Sequence, residues 1–172
     1  MNKKDELRKM LFESGAIKFG EFVIKSGKKS NYYVDMKWAS CNPKILDIAS
    51  ELLKNEVKNY DRIGGILVDG VPLATMLSAK TGIPMIIVRP EKQQEIEKEI
   101  EGEFKADENV VLVDGVITTA GTKIRAVNIL KKVGLKCNKV LVVIDRESGS
   151  DEIKKYGIKL VSLFNISDVI KQ

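Results

Sequence analysis

The sequence contains no histidine, and that absence excludes more chemistry than any other feature of its composition. Imidazole is the usual general base near neutral pH and the commonest protein ligand for metals. Any reaction must therefore run on carboxylates, lysines, hydroxyls, backbone amides or a metal that arrives with a substrate. Cysteine is nearly as scarce: Cys41 and Cys137 lie far apart with no CxxC partner, which argues against a zinc site and a disulfide framework. Both thiols read as buried or neutral. No run of 18 apolar residues occurs, and the opening "MNKKDELRKM" mixes charges of both signs. Neither a membrane span nor a secretory leader is expected, and a cytoplasmic location is. Few aromatics accompany the cations, which are dispersed apart from short groups such as Lys25, Lys28 and Lys29. A nucleic-acid surface is not expected either.

What is present is charge and a repeating apolar pattern. A formal net charge of +5, from 29 basic and 24 acidic residues, favours acidic ligands. With 44% hydrophobic residues, 172 residues suit one domain spanning 1–172. Residues 4–13 read as a short amphipathic helix, and "IKFGEFVIKSGKKSNYYVDMK" as two extended segments joined by a turn. Together they form a hood segment, residues 1–40. Asn42-Pro43 is a cap followed by a first-turn proline, predicting a helix to about Lys58. Short β-branched runs then follow at 63–68, 84–88, 110–113, 140–144 and 159–164. Between them lie "PLATMLSAKTG", "AGTKIRAVNILKKVG" and "SGSDEIKKYG", helical in period and closed by glycine. Such alternation predicts an α/β core over 41–172, a central parallel sheet flanked by helices. The connection from Arg89 to Asn109 is unusually long for such a fold. It reads as a lid, or as a solvated charged helix with Ile96 and Ile100 on one face.

In an open α/β sheet, ligands gather beyond the carboxyl ends of the strands. After the 110–113 run come Asp114, Gly115 and then Thr118, Thr119, Ala120, Gly121 and Thr122 before a helix. Small residues, hydroxyls and a helix N-terminus suit a monophosphate, although Thr118 or Thr119 could equally cap the helix. The segment lacks the endings of a P-loop and of a dinucleotide fingerprint. After the 63–68 run, Asp69 and Gly70 lead into a second helix whose amides suit another anion. A carboxylate at 69 would repel a diphosphate unless magnesium lay between them. Arg146, in "VIDRESGSDE", suits a carboxylate or phosphate, or an ion pair with Asp145 or Glu147.

At these residues the chain resembles the type I phosphoribosyltransferases, and within them the orotate branch. "GEFVIKSGKKSNYYVD" is similar to the family segment in which a lysine, here Lys25, and an aromatic near Tyr33 line the orotate pocket. "GGILVDGVPLATMLSAKTGIPMIIVR" is similar to its pyrophosphate-binding turn, helix and strand, with Asp69 and Gly70 at the turn. "VVLVDGVITTAGTKIRAV" resembles the motif for 5-phosphoribosyl diphosphate (PRPP), in which Thr118 to Thr122 hold the 5′-phosphate. "VVIDRESG" resembles the segment whose arginine, here Arg146, pairs with the orotate carboxylate. The resemblance implies transfer of ribose 5-phosphate from PRPP to orotate, giving orotidine 5′-monophosphate and pyrophosphate in pyrimidine biosynthesis. It also implies Mg2+ carried by PRPP, with no separate protein metal site, and a homodimer whose mobile loop reaches the neighbouring site. Asp114 and Lys92 take the catalytic roles, and Arg89 joins the PRPP contacts. The sequence departs from the family at Gly115, where the motif usually has a second acid, and at Asp69, where a neutral or basic residue is common. Only Arg89 and Lys92 match the family's mobile loop. These departures leave open a rival function: an impaired paralogue that binds PRPP or a nucleotide as a regulator. If the missing acid limits the chemistry, Gly115→Asp should gain rate.

Overall fold

The computed structural model describes residues 2–23, 27, 29–91, 98–146 and 149–170. Helix α1 (Lys3–Glu13) is capped by the Asn2 side chain on the Asp5 amide, and it buries Leu7 and Leu11. Strands β1 (Ile17–Val23) and β2 (Lys29–Val34) pair antiparallel as the hairpin that the sequence predicts. A one-turn helix α2 (Met36–Ala39), too short to show periodicity, is capped by Asp35. Helix α3 (Pro43–Leu53) starts where Asn42 accepts from the amides of Lys44 and Ile45, and it ends in a 3-10 turn, Lys54–Glu56.

The core alternates as expected: β3 (Arg62–Ile66), α4 (Gly70–Thr81), β4 (Met85–Val88), β5 (Ile100–Glu101), β6 (Asn109–Ile117), α5 (Gly121–Lys132), β7 (Lys136–Asp145), α6 (Ser150–Lys155), β8 (Lys159–Asn165) and α7 (Ile166–Ile170). The sheet order is β5-β4-β3-β6-β7-β8. All pairings are parallel except β4 with β5. Alternate residues of β6 face opposite layers. Val111 and Val113 pack with Leu7, Ile45 and Leu77, whereas Val110 and Leu112 pack with Val127 and Leu130. Both faces are thus covered, which is why the strands are apolar throughout.

Two boundaries correct the sequence reading. β6 runs through Ile117 rather than stopping at Val113, because Asp114, Val116 and Ile117 continue the ladder with β7. The segment read as a loop from Asp114 therefore begins as strand. Ile100 belongs to β5 and packs, half-buried, on the sheet, so it does not share a helical face with Ile96. Ile96 lies outside the described residues with the rest of 92–97, Lys92 among them, as does Lys25. Cys137 is buried, which pushes its thiol up to about 11, whereas Cys41 is exposed.

The chain order reverses direction between β3 and β6: from β3 the chain crosses to β4 on one side, and from β6 to β7 on the other. The crevice at the carboxyl ends of these two strands is the topological switch point where α/β sheets bind ligands.

Candidate active site

At that crevice lies a cavity of about 420 Å³. Tyr33, Asp69, Arg89, Asp114, Thr118, Thr119, Thr122 and Arg146 line it, eight residues that the sequence nominated. Gly70, Ala120 and Gly121 are not on its wall. Gly70 instead allows close packing: a Cβ there would press into the carbonyl of Val113 and lie 3.1 Å from Asp114 Cα. Only glycine lets the start of α4 rest on β6 at this point.

The phosphate turn is held in place by neighbouring backbone. A Cβ on Gly149 would come within 2.9 Å of Ala120 N and Thr119 C, so the turn before α6 supports the residues ahead of α5. Helix α5 has Ala120 at its N-cap and no side-chain cap bond. A helix start without a side-chain cap leaves its first amides available to an anion.

Asp114 is buried and makes a 2.5 Å ion pair with the buried Lys123, whose Nζ also donates to the Val116 carbonyl at 2.6 Å. Sequence reading missed Lys123. The signal was its position on the α5 face shared with Ala126, Val127 and Leu130, where a lysine is buried only with a partner. Lys37, in α2, also lines the cavity and was missed.

Asp69 stands at the N-cap of α4, a position that favours aspartate, yet its side chain does not cap the helix. It is instead drawn toward Asp114 and Gly115. Burial and the neighbouring Asp114 carboxylate push it up to about 6, while a hydrogen bond from its own backbone amide, then Lys123 and Lys37, offset part of that rise.

Arg146 is fixed on two sides. Its guanidinium lies 4.6 Å over the Tyr32 ring, and its Nη2 donates to Ser30 Oγ at 2.9 Å. Ser30 Oγ in turn donates to the Tyr32 carbonyl at 2.7 Å. Tyr32 is thus the aromatic that holds the arginine, while Tyr33 lines the cavity and packs against Phe22 with ring centroids 5.7 Å apart. The Nε atoms of Arg146 and Arg89 are buried without a hydrogen-bond partner among the described residues.

The site thus gathers four cations, Lys37, Arg89, Lys123 and Arg146, with three carboxylates, Asp69, Glu91 and Asp114, around space for a phosphorylated ligand.

The chain is also similar to known proteins. Residues 40–171 match the family described as Phosphoribosyl transferase domain. The chain is 42% identical to the orotate phosphoribosyltransferase of Pyrococcus abyssi, over 98% of this chain and 96% of that one. It is 39% identical to that of Methanocaldococcus jannaschii, over 98% of each. Its fold is similar to the crystal structure of orotate phosphoribosyltransferase from Aeropyrum pernix, with a TM-score of 0.86 at 28% identity over 96% of both chains. The chain belongs to the phosphoribosyltransferase domain family, in its orotate phosphoribosyltransferase branch.

Proposed function

We propose that this protein transfers the ribose 5-phosphate of PRPP to orotate, releasing pyrophosphate and forming orotidine 5′-monophosphate. The observation that supports it most directly is the pair of buried guanidinium Nε groups, Arg89 and Arg146, on one cavity, without a hydrogen-bond partner among the described residues. A buried donor left unpaired costs on the order of 1–3 kcal/mol, so two on one wall mark a place where anions complete the hydrogen bonding.

In this reading the first amides of α5 and the hydroxyls of Thr118, Thr119 and Thr122 hold the 5′-phosphate, with Ala120 and Gly121 letting it approach. Asp114 faces the ribose, and its ion pair with Lys123 fixes the carboxylate's direction. Arg89 and Lys92 meet the diphosphate beside the Asp69-Gly70 turn. Lys25, Tyr33 and Arg146 hold orotate, the planar guanidinium suiting a carboxylate. Among the described residues no cluster of three or more metal-ligating side chains exists. Asp69 and Asp114 offer two carboxylates, which fits magnesium, an ion that takes most of its oxygens from substrate phosphates and water. When bound, magnesium would offset the charge building on the departing pyrophosphate. Arg89 does the same from the protein side. Orotate arrives as an anion, so its attack on the ribose carbon needs alignment rather than a base. The lack of histidine is then no obstacle.

A homodimer belongs to the same proposal. Phe19 and Trp38 are 61% and 62% exposed on the hood, where Phe12 packs on Phe19 and Trp38 Nε1 donates to the Ser14 carbonyl. Apolar surface of this kind suits a partner subunit. No described helix is long and apolar enough to cross a membrane.

The test is the loss of orotate absorbance when protein, orotate, PRPP and magnesium are mixed. Turnover is expected, and PRPP binding without turnover would replace the enzyme with the regulator reading. Arg146→Ala should weaken orotate by about ten- to hundredfold while changing PRPP little. Equal losses for both ligands would refute its assigned role.

A further inference from the structure

The PRPP motif of this chain has one acid, Asp114, where a second would follow at Gly115. The structure fills that gap from another strand. A Cβ built on Gly115 would press into Asp69 Oδ2 and lie 2.7 Å from Met36 Cβ. The Asp69 carboxylate therefore occupies the volume that a side chain at 115 would need. Asp69 also forgoes the helix cap open to it, and the same cavity wall holds the Nε of Arg89, buried without a partner among the described residues. Against the two carboxylates the nearest buried cation is Lys123, and it is already bonded to Asp114 and to the Val116 carbonyl.

We infer that Asp69 is the displaced second acid of this site: together with Asp114 it receives the divalent cation that PRPP brings. The acid pair is split between the turn after β3 and the interior of β6 instead of lying at adjacent positions on one strand. Gly115 then makes room for Asp69, beside Met36, and the two departures from the family pattern are one arrangement. The inference rests on the PRPP reading above. It also reverses the sequence expectation for Gly115→Asp: an acid there meets Asp69 instead of completing the pair.

The experiment is calorimetry of PRPP binding, with magnesium and with chelator, on the wild type, Asp69→Asn, Gly115→Asp and the exchange variant Asp69→Gly/Gly115→Asp, with thermal melts as a check of folding. The wild type should bind PRPP more tightly with magnesium. Asp69→Asn should melt no lower than wild type and lose about ten- to hundredfold in affinity with magnesium, but little in chelator. Gly115→Asp should bind poorly, and the exchange variant, relieved of Asp69 but still pressed on Met36 Cβ, should recover part of the affinity that Gly115→Asp loses. Undiminished magnesium-dependent binding by Asp69→Asn overturns the assignment, as does an equal loss with and without the metal. If Gly115→Asp fails to fold, Asp69→Asn still decides, because a side chain at 115 meets Met36 Cβ at 2.7 Å in the exchange variant too. A wild type that binds no PRPP under either condition refutes the functional reading itself, a result distinct from these.

Discussion

At the scale of single residues, two carboxylates show how differently this fold treats charge. Glu108 accepts from Arg62 Nε and Nη2 at 2.8 and 3.0 Å, and that guanidinium, with the Lys105 amide, holds its carboxyl down at about 2. Asp69 goes the other way, up to about 6, through burial and its neighbour Asp114. The unfolded chain releases the Asp69 proton near pH 4, while the folded, metal-free protein keeps it until about 6. Across that window the folded state binds more protons than the unfolded one, so stability falls as pH rises, by about 3 kcal/mol at most. Asp69→Asn should remove this penalty. Urea unfolding without metal should show the variant matching wild type near pH 4 and exceeding it at pH 7. Equal stability at pH 7 would mean that the two acids do not strain the site. Gain of stability with loss of ligand affinity is what a functional carboxylate predicts; a structural one would lose both. Residue chemistry was legible in sequence where the pattern was local, as with Thr118, Thr122 and Arg146. Lys123 and Tyr32 were not, because their roles depend on partners brought from other elements.

At the scale of elements, the strands were legible because β-branched runs buried on both faces leave little alternative. Their ends were not. Asp114 and Gly115 are poor strand formers by composition, yet pairing with β7 and the Lys123 ion pair hold them in β6. The short helices α2 and α7 span four and five residues, less than the period needed to show in a sequence. Element contacts at glycine set the geometry of the site. Gly70→Ala should drive α4 off β6 and destabilise by about 1–3 kcal/mol in urea, widening the gap between Asp69 and Asp114 and weakening PRPP as well. Gly149→Ala presses only on the turn of Thr119 and Ala120. Its effect should fall on PRPP affinity with a smaller change in stability, and the reverse ranking of the two variants would contradict the division of labour between these contacts.

At the scale of the whole molecule, the sheet order and the hood decide where the site is and what encloses it. Strand topology puts Asp69, in the turn after β3, beside Asp114, within the adjacent strand β6, and the hairpin brings Tyr33 to the same cavity. Leu7, Ile17 and Val34 share a core cluster with Leu141 and Phe164, so the hood is anchored in the sheet's own packing. Its outer face is the part left uncovered. In the proposed homodimer, a partner seated on this face is the one whose lid segment, by the family resemblance, would reach this site. Sedimentation equilibrium should find the wild type as a dimer at micromolar concentration and Phe19→Glu as a folded monomer. The monomer should keep most of its PRPP affinity, since the phosphate turn and both acids lie within one chain, but lose turnover with the neighbour's lid. A wild type that sediments as a monomer while turning over orotate would show that one subunit builds the complete site, and the exposed Phe19 and Trp38 would then need another explanation.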